Sequence, residues 1–391
     1  MIHVDISYRS INKYSEELCG DKVEIVRTDD SDILVLSDGL GSGVKANILS
    51  TLTSKIIITM LKEGSSVDEA VETIAKTLPI CKVRQLAYST FSILQIFHDG
   101  KAYLVEFDNP SCVFIRNNEI VDIPYDIREI AGKNVRESRF DVAIGDTFVL
   151  TSDGVIHAGV GGVLNLGWQW DNLASCVLDC AQKNMSASRT AASVIQVVDN
   201  LFLSKPGDDS TVLAAKIVKQ KVVNVFSGPP ENPDNDEIII KDWMRSPGKK
   251  VVCGGTSANI VGRVLNRPIK TSLDFTDSSV PPVAFISGID LVTEGVLTIN
   301  KSIEIIKEFV DYNKSNTVSD FKAIDGKNGA AMLARMLVEE ATDINFFVGK
   351  AINPAHQNPN LPMDLSIKLR LITELSQLLK ELGKNVLIKY Y

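Results

Sequence analysis

Two apolar runs in the first half of the chain end in the same way, and that ending restricts the fold more than any other feature. Ile33-Leu34-Val35-Leu36-Ser37 leads into Asp38-Gly39, and Phe148-Val149-Leu150-Thr151-Ser152 leads into Asp153-Gly154. A third run, Ser210-Thr211-Val212-Leu213, is preceded by Asp208-Asp209, and Gly20-Asp21 sits in a turn before a fourth. Short runs rich in β-branched residues read as strands. A carboxylate at a strand end is held stiffly by the sheet while its oxygens reach solvent. The neighbouring glycine lets the backbone turn and a carbonyl or hydrated ion come close. Any single Asp-Gly pair is ordinary turn chemistry. Several converging at one sheet edge would make an all-oxygen site suited to Mg²⁺ or Mn²⁺.

The surrounding pattern supplies the scaffold. Residues 2–7, 22–27 and 32–37 read as strands, followed by a helix over 44–62 in which Ile48, Leu52, Ile56 and Met60 recur every fourth position. A second helix over 66–77 opens with the Ser66/Glu69 capping pattern. Strands are expected at 89–97, 102–107, 112–116 and 147–151, with hairpin turns at Asp99-Gly100 and Asn117-Asn118. Helical pattern resumes after Asp171, with Ala191, Ile195, Val198 and Phe202 on one apolar face, and a strand at 211–218 closes the block. Helices flanking a central run of strands predict a β-sandwich with helices outside.

At 391 residues the chain is expected to hold two domains. Ser227–Asp236 (SGPPENPDND) reads as a connecting segment, which places the boundary near Gln220 and divides the chain into 1–220 and 221–391. Beyond it, strands at 249–253, 283–287, 345–348 and 385–388 alternate with helices at 257–265, 301–312, 329–340 and 363–382, the pattern of an α/β domain. The whole is therefore an α/β (α+β) protein.

The net charge of −8 sits in the first half: residues 1–218 carry −9 and residues 219–391 carry +1. That balance argues against a nucleic-acid partner, which would require a basic face. No apolar run approaches a membrane span, and no basic-then-apolar stretch resembling a secretory signal opens the chain, so no membrane association and a cytoplasmic location are expected. Six scattered cysteines form no C-x-x-C pair; Cys176 and Cys180, one helical turn apart, are expected to be buried free thiols. No zinc site follows.

With these residues in view, the first half resembles a known family. Asp38-Gly39-Leu40-Gly41-Ser42-Gly43-Val44-Lys45-Ala46 is similar to the D-G-x-G-x-G-x-x-A signature of PPM-type metal-dependent protein serine/threonine phosphatases, in particular their bacterial sporulation stage II E-like branch. Gly20-Asp21, Tyr88-Ser89-Thr90-Phe91, Ser152-Asp153-Gly154 and Asp208-Asp209-Ser210-Thr211-Val212 match in the expected order, so the resemblance spans about residues 1–218 and leaves the second half untouched. It implies an αββα sandwich with two metal ions, Mg²⁺ or Mn²⁺, in a cleft at the sheet ends. Asp38 would bridge both ions, with the Gly39 carbonyl on one of them. Asp153 and the Asp208/Asp209 pair would complete the second site, Asp208 matching the ligand position better. Asp21 would act through metal-bound water. The catalytic set implied is Asp38, Asp153 and Asp208, and the reaction is hydrolysis of phosphoserine or phosphothreonine by an activated water. Leu40 and Gly41 stand where eukaryotic members place a histidine proton donor. His157 and Arg9 are weak candidates for proton donor and phosphate clamp.

The implied substrate is a phosphorylated regulatory protein. The alternative is a non-catalytic signalling protein that keeps the fold and senses a ligand through its second domain. In that domain, Gly254-Gly255-Thr256-Ser257 follows a strand and opens a helix, a candidate anion site through exposed backbone N–H groups; it matches neither G-K-[ST] nor G-x-G-x-x-G. A small anionic ligand there would regulate the phosphatase. Asp290 and Glu294 are expected at one strand end facing the same crevice, and His356 in a surface loop. The helices at 44–62 and 66–77 are expected to form a regulatory surface, and assembly into a homo-oligomer is left open.

Overall fold

The structure, a computed structural model, describes residues 2–77, 89–271, 281–314, 321–351 and 364–391. The Asn353–Pro359 loop with His356, and Tyr88 of the resemblance, lie outside the described residues. Met1–Lys219 form one compact unit, and Gln220–Asp311 with Asp320–Tyr391 form another.

In unit 1 the elements follow as β1 (Ile2–Ile11), β2 (Asp21–Arg27), β3 (Ser31–Gly39), α1 (Gly43–Lys62), α2 (Val67–Thr77), β4 (Ser89–Phe97), β5 (Lys101–Phe107), β6 (Val113–Arg116), β7 (Glu119–Ile120), β8 (Asp126–Ile130), β9 (Lys133–Asp141), β10 (Thr147–Thr151), α3 (Asp153–Ile156), α4 (Trp170–Gln182), α5 (Ala187–Leu201) and β11 (Ser210–Lys219). One sheet runs β1-β11-β10-β6-β7 and the other β2-β3-β4-β5-β9-β8, with antiparallel neighbours throughout. Leu34, Leu36, Leu94, Phe114, Phe148 and Leu213 meet between the sheets. Ile33 and Val35, one residue out of phase, face α1 and α2 instead. Strand β3 is buried on both faces for this reason, and its sequence is a continuous apolar run rather than an alternating one. Helices α4 and α5 cover the other sheet through Leu173, Val177, Ile195 and Val198 against Val149, Val212 and Ala214. The four layers are those of an αββα sandwich.

Local signals hold where they were legible. Ser66 and Glu69 cap one another, the Glu69 carboxylate accepting from the Ser66 N–H at 2.9 Å and the Ser66 hydroxyl from the Glu69 N–H at 3.2 Å. Asn117 and Asn118 both take positive φ, 53° and 61°, as a two-residue hairpin turn requires. Two features differ from expectation. The hairpin β8–β9 turns at Ala131-Gly132, with φ of 50° and 73°; an alanine in the left-handed region carries no turn signal. Helix α1 was expected to fall short of a membrane span, yet with 20 residues it is long and apolar enough to cross one by length and composition alone. It packs on β2 and β3 through Ala46, Ser50, Thr53, Ser54 and Ile57, while Val44, Ile48 and Leu52 are 61, 52 and 45% exposed.

Unit 2 contains β12 (Val222–Ser227), α6 (Asp236–Arg245), β13 (Lys249–Cys253), α7 (Gly255–Leu265), β14 (Lys270–Thr271), β15 (Ala284–Phe285), β16 (Leu291–Thr293), α8 (Val296–Lys314), α9 (Gly329–Arg335), β17 (Asp343–Val348), α10 (Asp364–Glu381) and β18 (Asn385–Tyr390). Five parallel strands lie in the order β16-β13-β12-β17-β18, so the chain winds outward in both directions from β12. This is the doubly wound arrangement of α/β folds. The strand expected at 283–287 shrinks to the two-residue, antiparallel β15, and the chain turns through Gly288 (φ 79°) into β16. Asp290 and Glu294 consequently flank β16 at its opposite ends and do not share a crevice; the Asp290 carboxylate accepts from the Lys250 N–H at 2.7 Å.

Candidate metal centre

Period-two alternation decides where the first-half aspartates go. Asp38 shares the face of Leu34 and Leu36, and its register partner Asp21 shares the face of Val23, so both enter the space between the sheets at one edge. Ser152 continues the inner face of Leu150, and Asp209 and Thr211 continue that of Leu213. Asp153 opens α3 just past β10, and Asp208 precedes β11. Asp21, Asp38, Asp153, Asp208 and Asp209 are thus brought to the same end of the sandwich, with the Gly39 backbone among them.

Glycine is required at three of these positions by close packing. A Cβ on Gly39 would stand 2.1 Å from the Ala46 carbonyl oxygen, one on Gly154 2.0 Å from the Asp209 carbonyl oxygen, and one on Gly20 2.8 Å from Asp209 Oδ2. The Asp-Gly signature is therefore a packing requirement that seats α1 on β3 and α3 on the start of β11.

The carboxylates act strongly on one another. Burial, then the charges of Asp21, Asp153, Asp208 and Asp209, push the Asp38 carboxyl up to about 10. Asp21 rises to about 7, chiefly through burial, against hydrogen bonds from Ser152 and Thr211. Asp208 is raised by burial and by Asp153, with Lys13 opposing. Asp21 Oδ1 and Asp209 Oδ2 are buried with no hydrogen-bond partner among the described residues. Buried acceptors without donors are costly, and a divalent cation together with the water it binds would satisfy them. Among the described residues no group of three or more His, Cys, Asp or Glu side chains already stands in an arrangement that could hold a metal ion. The donor set, all oxygen and strongly anionic, fits Mg²⁺ or Mn²⁺.

Several supporting groups escaped the sequence reading. The Ser152 hydroxyl donates to Asp21 Oδ2 at 2.7 Å and accepts from the Thr211 N–H at 2.9 Å, tying three segments together. Ser89 donates to the Asp38 carbonyl at 2.7 Å. The Lys13 N–H donates to Asp209 Oδ1 at 3.0 Å, and its ammonium stands 3.9 Å from Asp208. The serine before each Asp-Gly was a visible signal for Ser152; nothing marked Lys13. His157 is exposed at the end of α3. Arg9 shares the helix-facing side of β1 with Ile11 and does not enter the space between the sheets. In unit 2, the Ser257 hydroxyl is buried and accepts from the Gly228 N–H at 2.7 Å, beside Gly254 (φ 118°), Gly255 and Thr256 at the start of α7.

Residues 28–218 match the family model described as Stage II sporulation protein E (SpoIIE), and the resemblance read from the motifs holds over that stretch. No curated protein matches the chain. Among solved structures, the PP2C phosphatase domain with a fragment of the regulatory domain of SpoIIE from Bacillus subtilis is 18% identical, with 56% of this chain and 62% of that chain covered and a TM-score of 0.45. The RsbU and RsbW domains of a Mycobacterium tuberculosis protein are 16% identical, with 62% and 69% covered and a TM-score of 0.46. The catalytic domain of the serine/threonine protein phosphatase PstP, in complex with two manganese ions, is 15% identical, with 56% and 100% covered and a TM-score of 0.40.

Proposed function

We propose that unit 1, the SpoIIE-family part of the chain, is a divalent-metal-dependent phosphatase acting on phosphoserine or phosphothreonine of a regulatory protein in the cytoplasm. The observation that carries this reading is the gathering of five aspartates at one sandwich edge, two of their buried oxygens lacking donors among the described residues. Asp38, the Gly39 carbonyl, Asp153 and Asp208 would hold two Mg²⁺ or Mn²⁺ ions, with Asp209 beside them and Asp21 acting through water. Bound there, the ions would supply an activated water and neutralise the phosphoryl oxygens.

The chain's own residues prepare that site. Ser152 and the Thr211 backbone hold Asp21 in one orientation. Lys13 offsets charge at Asp208 and pins Asp209 through its backbone N–H. Cys19 is no nucleophile, because burial and the charges of Asp21 and Asp209 keep its thiol protonated. In unit 2 the start of α7, Gly254–Ser257, would take a small anion that regulates unit 1.

The test is hydrolysis of an aryl phosphate and of a phosphoserine peptide by the full chain, with and without Mn²⁺. Asp38→Asn and Asp153→Asn should each lose nearly all Mn²⁺-dependent turnover and still fold. Full activity of either variant at moderate Mn²⁺, or a wild type whose turnover does not depend on metal, overturns the metal assignment. A wild type with no turnover at any Mn²⁺ concentration returns the chain to the non-catalytic sensor.

A further inference from the structure

Arg9 has no role in the reaction proposed above, yet its environment is exceptional. It is 2% exposed, and none of its Nε, Nη1 and Nη2 atoms has a hydrogen-bond partner among the described residues. The layer it enters is built mainly from apolar side chains, Ile11, Val149, Val155, Ile195 and Val212, and its other buried polar groups on β1 and α5, Ser7, Ser188 and Thr190, carry no charge. Burial alone pushes its pKa down, to about 10, with no carboxylate acting on it. A guanidinium does not escape the cost by losing its proton, and an isolated buried charge is among the most expensive groups a fold can carry.

A second orphan lies in the same row. Arg9 pairs with Val212, and Val212 pairs with Thr151 on the next strand. Thr151 shares the helix-facing side with Val149, is 1% exposed, and its Oγ1 has no partner among the described residues. Adjacent strands lie about 4.8 Å apart, so the two Cα atoms are about 10 Å apart across Val212. An arginine side chain covers most of that distance. Water would satisfy hydrogen bonds here but not the charge. A divalent anion would leave an excess negative charge, and an organic anion would need an opening that a 2% exposed side chain does not offer.

We propose that Arg9 and Thr151 hold a buried monovalent anion, chloride, in the layer between β1-β11-β10 and the helices that cover them. The Arg9 N–H groups and the Thr151 hydroxyl donate to it. Since Thr151 is the last residue of β10, the ion fixes the strand end that presents Ser152 and Asp153. This assignment is independent of the phosphatase reading.

Thermal unfolding of the full chain is measured at constant ionic strength and pH while isethionate, a bulky organic anion, is replaced by chloride or bromide. The midpoint should rise saturably with either halide, as binding to the folded state alone demands. Thr151→Val should weaken the halide dependence by about 10-fold, and Arg9→Met, which keeps the volume and removes the charge, should abolish it while the protein still folds. Bromide-soaked wild-type crystals should show an anomalous peak within hydrogen-bond reach of both side chains. A halide-independent midpoint, a dependence that survives Arg9→Met, or Arg9 bonded in the crystal to water or a carboxylate in place of bromide would each overturn the proposal.

Discussion

At Asp38 the folded chain opposes the charge that its proposed role requires. Its carboxyl rises from an ordinary value near 4 to about 10. A raised folded-state pKa means that the fold binds the proton more tightly than the unfolded chain. The associated stability is therefore fully present below about pH 4 and is lost as pH rises toward 10. Asp21 adds the same sign over the window from about 4 to about 7. In metal-free protein, Asp38→Asn should consequently gain in melting temperature relative to wild type, with a difference that widens from pH 5 to pH 8. Mn²⁺ should then raise the wild-type midpoint more than that of the variant. Melting curves across that pH range in chelator and in Mn²⁺ check both statements, and a difference that narrows with rising pH contradicts the cluster's electrostatics. At the same scale, Ser152 was half legible. Its repetition before Asp-Gly was visible, but its partner Asp21 lies 131 positions away, and only the packed sheets bring them together.

Among the elements, α1 shows how a correct helix can still conceal its orientation. The four-residue spacing of Ile48, Leu52, Ile56 and Met60 marks a helix, yet Ile48 and Leu52 lie on its exposed side while Ser50, Thr53 and Ser54 are buried. The helix approaches β3 so closely that a Cβ on Gly39 would overlap the Ala46 carbonyl. Small side chains are what fit beneath it, so the usual rule of apolar side inward is reversed over these turns. The β8–β9 hairpin was missed for a different reason. Arg128, Glu129, Arg136, Glu137 and Arg139 hide the strand pattern, although Glu137 is 3% exposed and paired with Arg128 at 2.9 Å. The α3 junction yields a prediction. Gly154→Ala would drive its Cβ into the Asp209 carbonyl and the Ser210 hydroxyl, a strain of about 1–3 kcal/mol. Thermal unfolding should show that loss, whereas Gly255→Ala, with nothing within 4 Å of the added Cβ and an ordinary φ, should be neutral. Equal effects at the two sites would remove packing as the reason for glycine after Asp153.

For the whole molecule, the separation of charge and of architecture runs together. Unit 1 carries the acidic excess and the antiparallel sandwich; unit 2 is nearly neutral and is wound about a parallel sheet. If unit 2 regulates unit 1, residues 1–219 alone should differ several-fold from the full chain in the Mn²⁺ concentration needed for half-maximal aryl-phosphate hydrolysis. Identical metal dependence and turnover would show that unit 2 serves another purpose.

The amino-acid sequence alone determined the strands that end in Asp-Gly, the capping of α2, the Asn-Asn hairpin and the alternation of the second half. Each of these is a local matter of φ preference, side-chain period or a hydrogen bond within a few residues. The tertiary structure alone decided which side of α1 is inside, that Lys13 reaches across 196 positions to Asp209, and that Arg9 is buried with no hydrogen-bond partner among the described residues. Those outcomes depend on which faces meet when the sheets pack, and burial is a property of the assembled layers that no segment carries by itself.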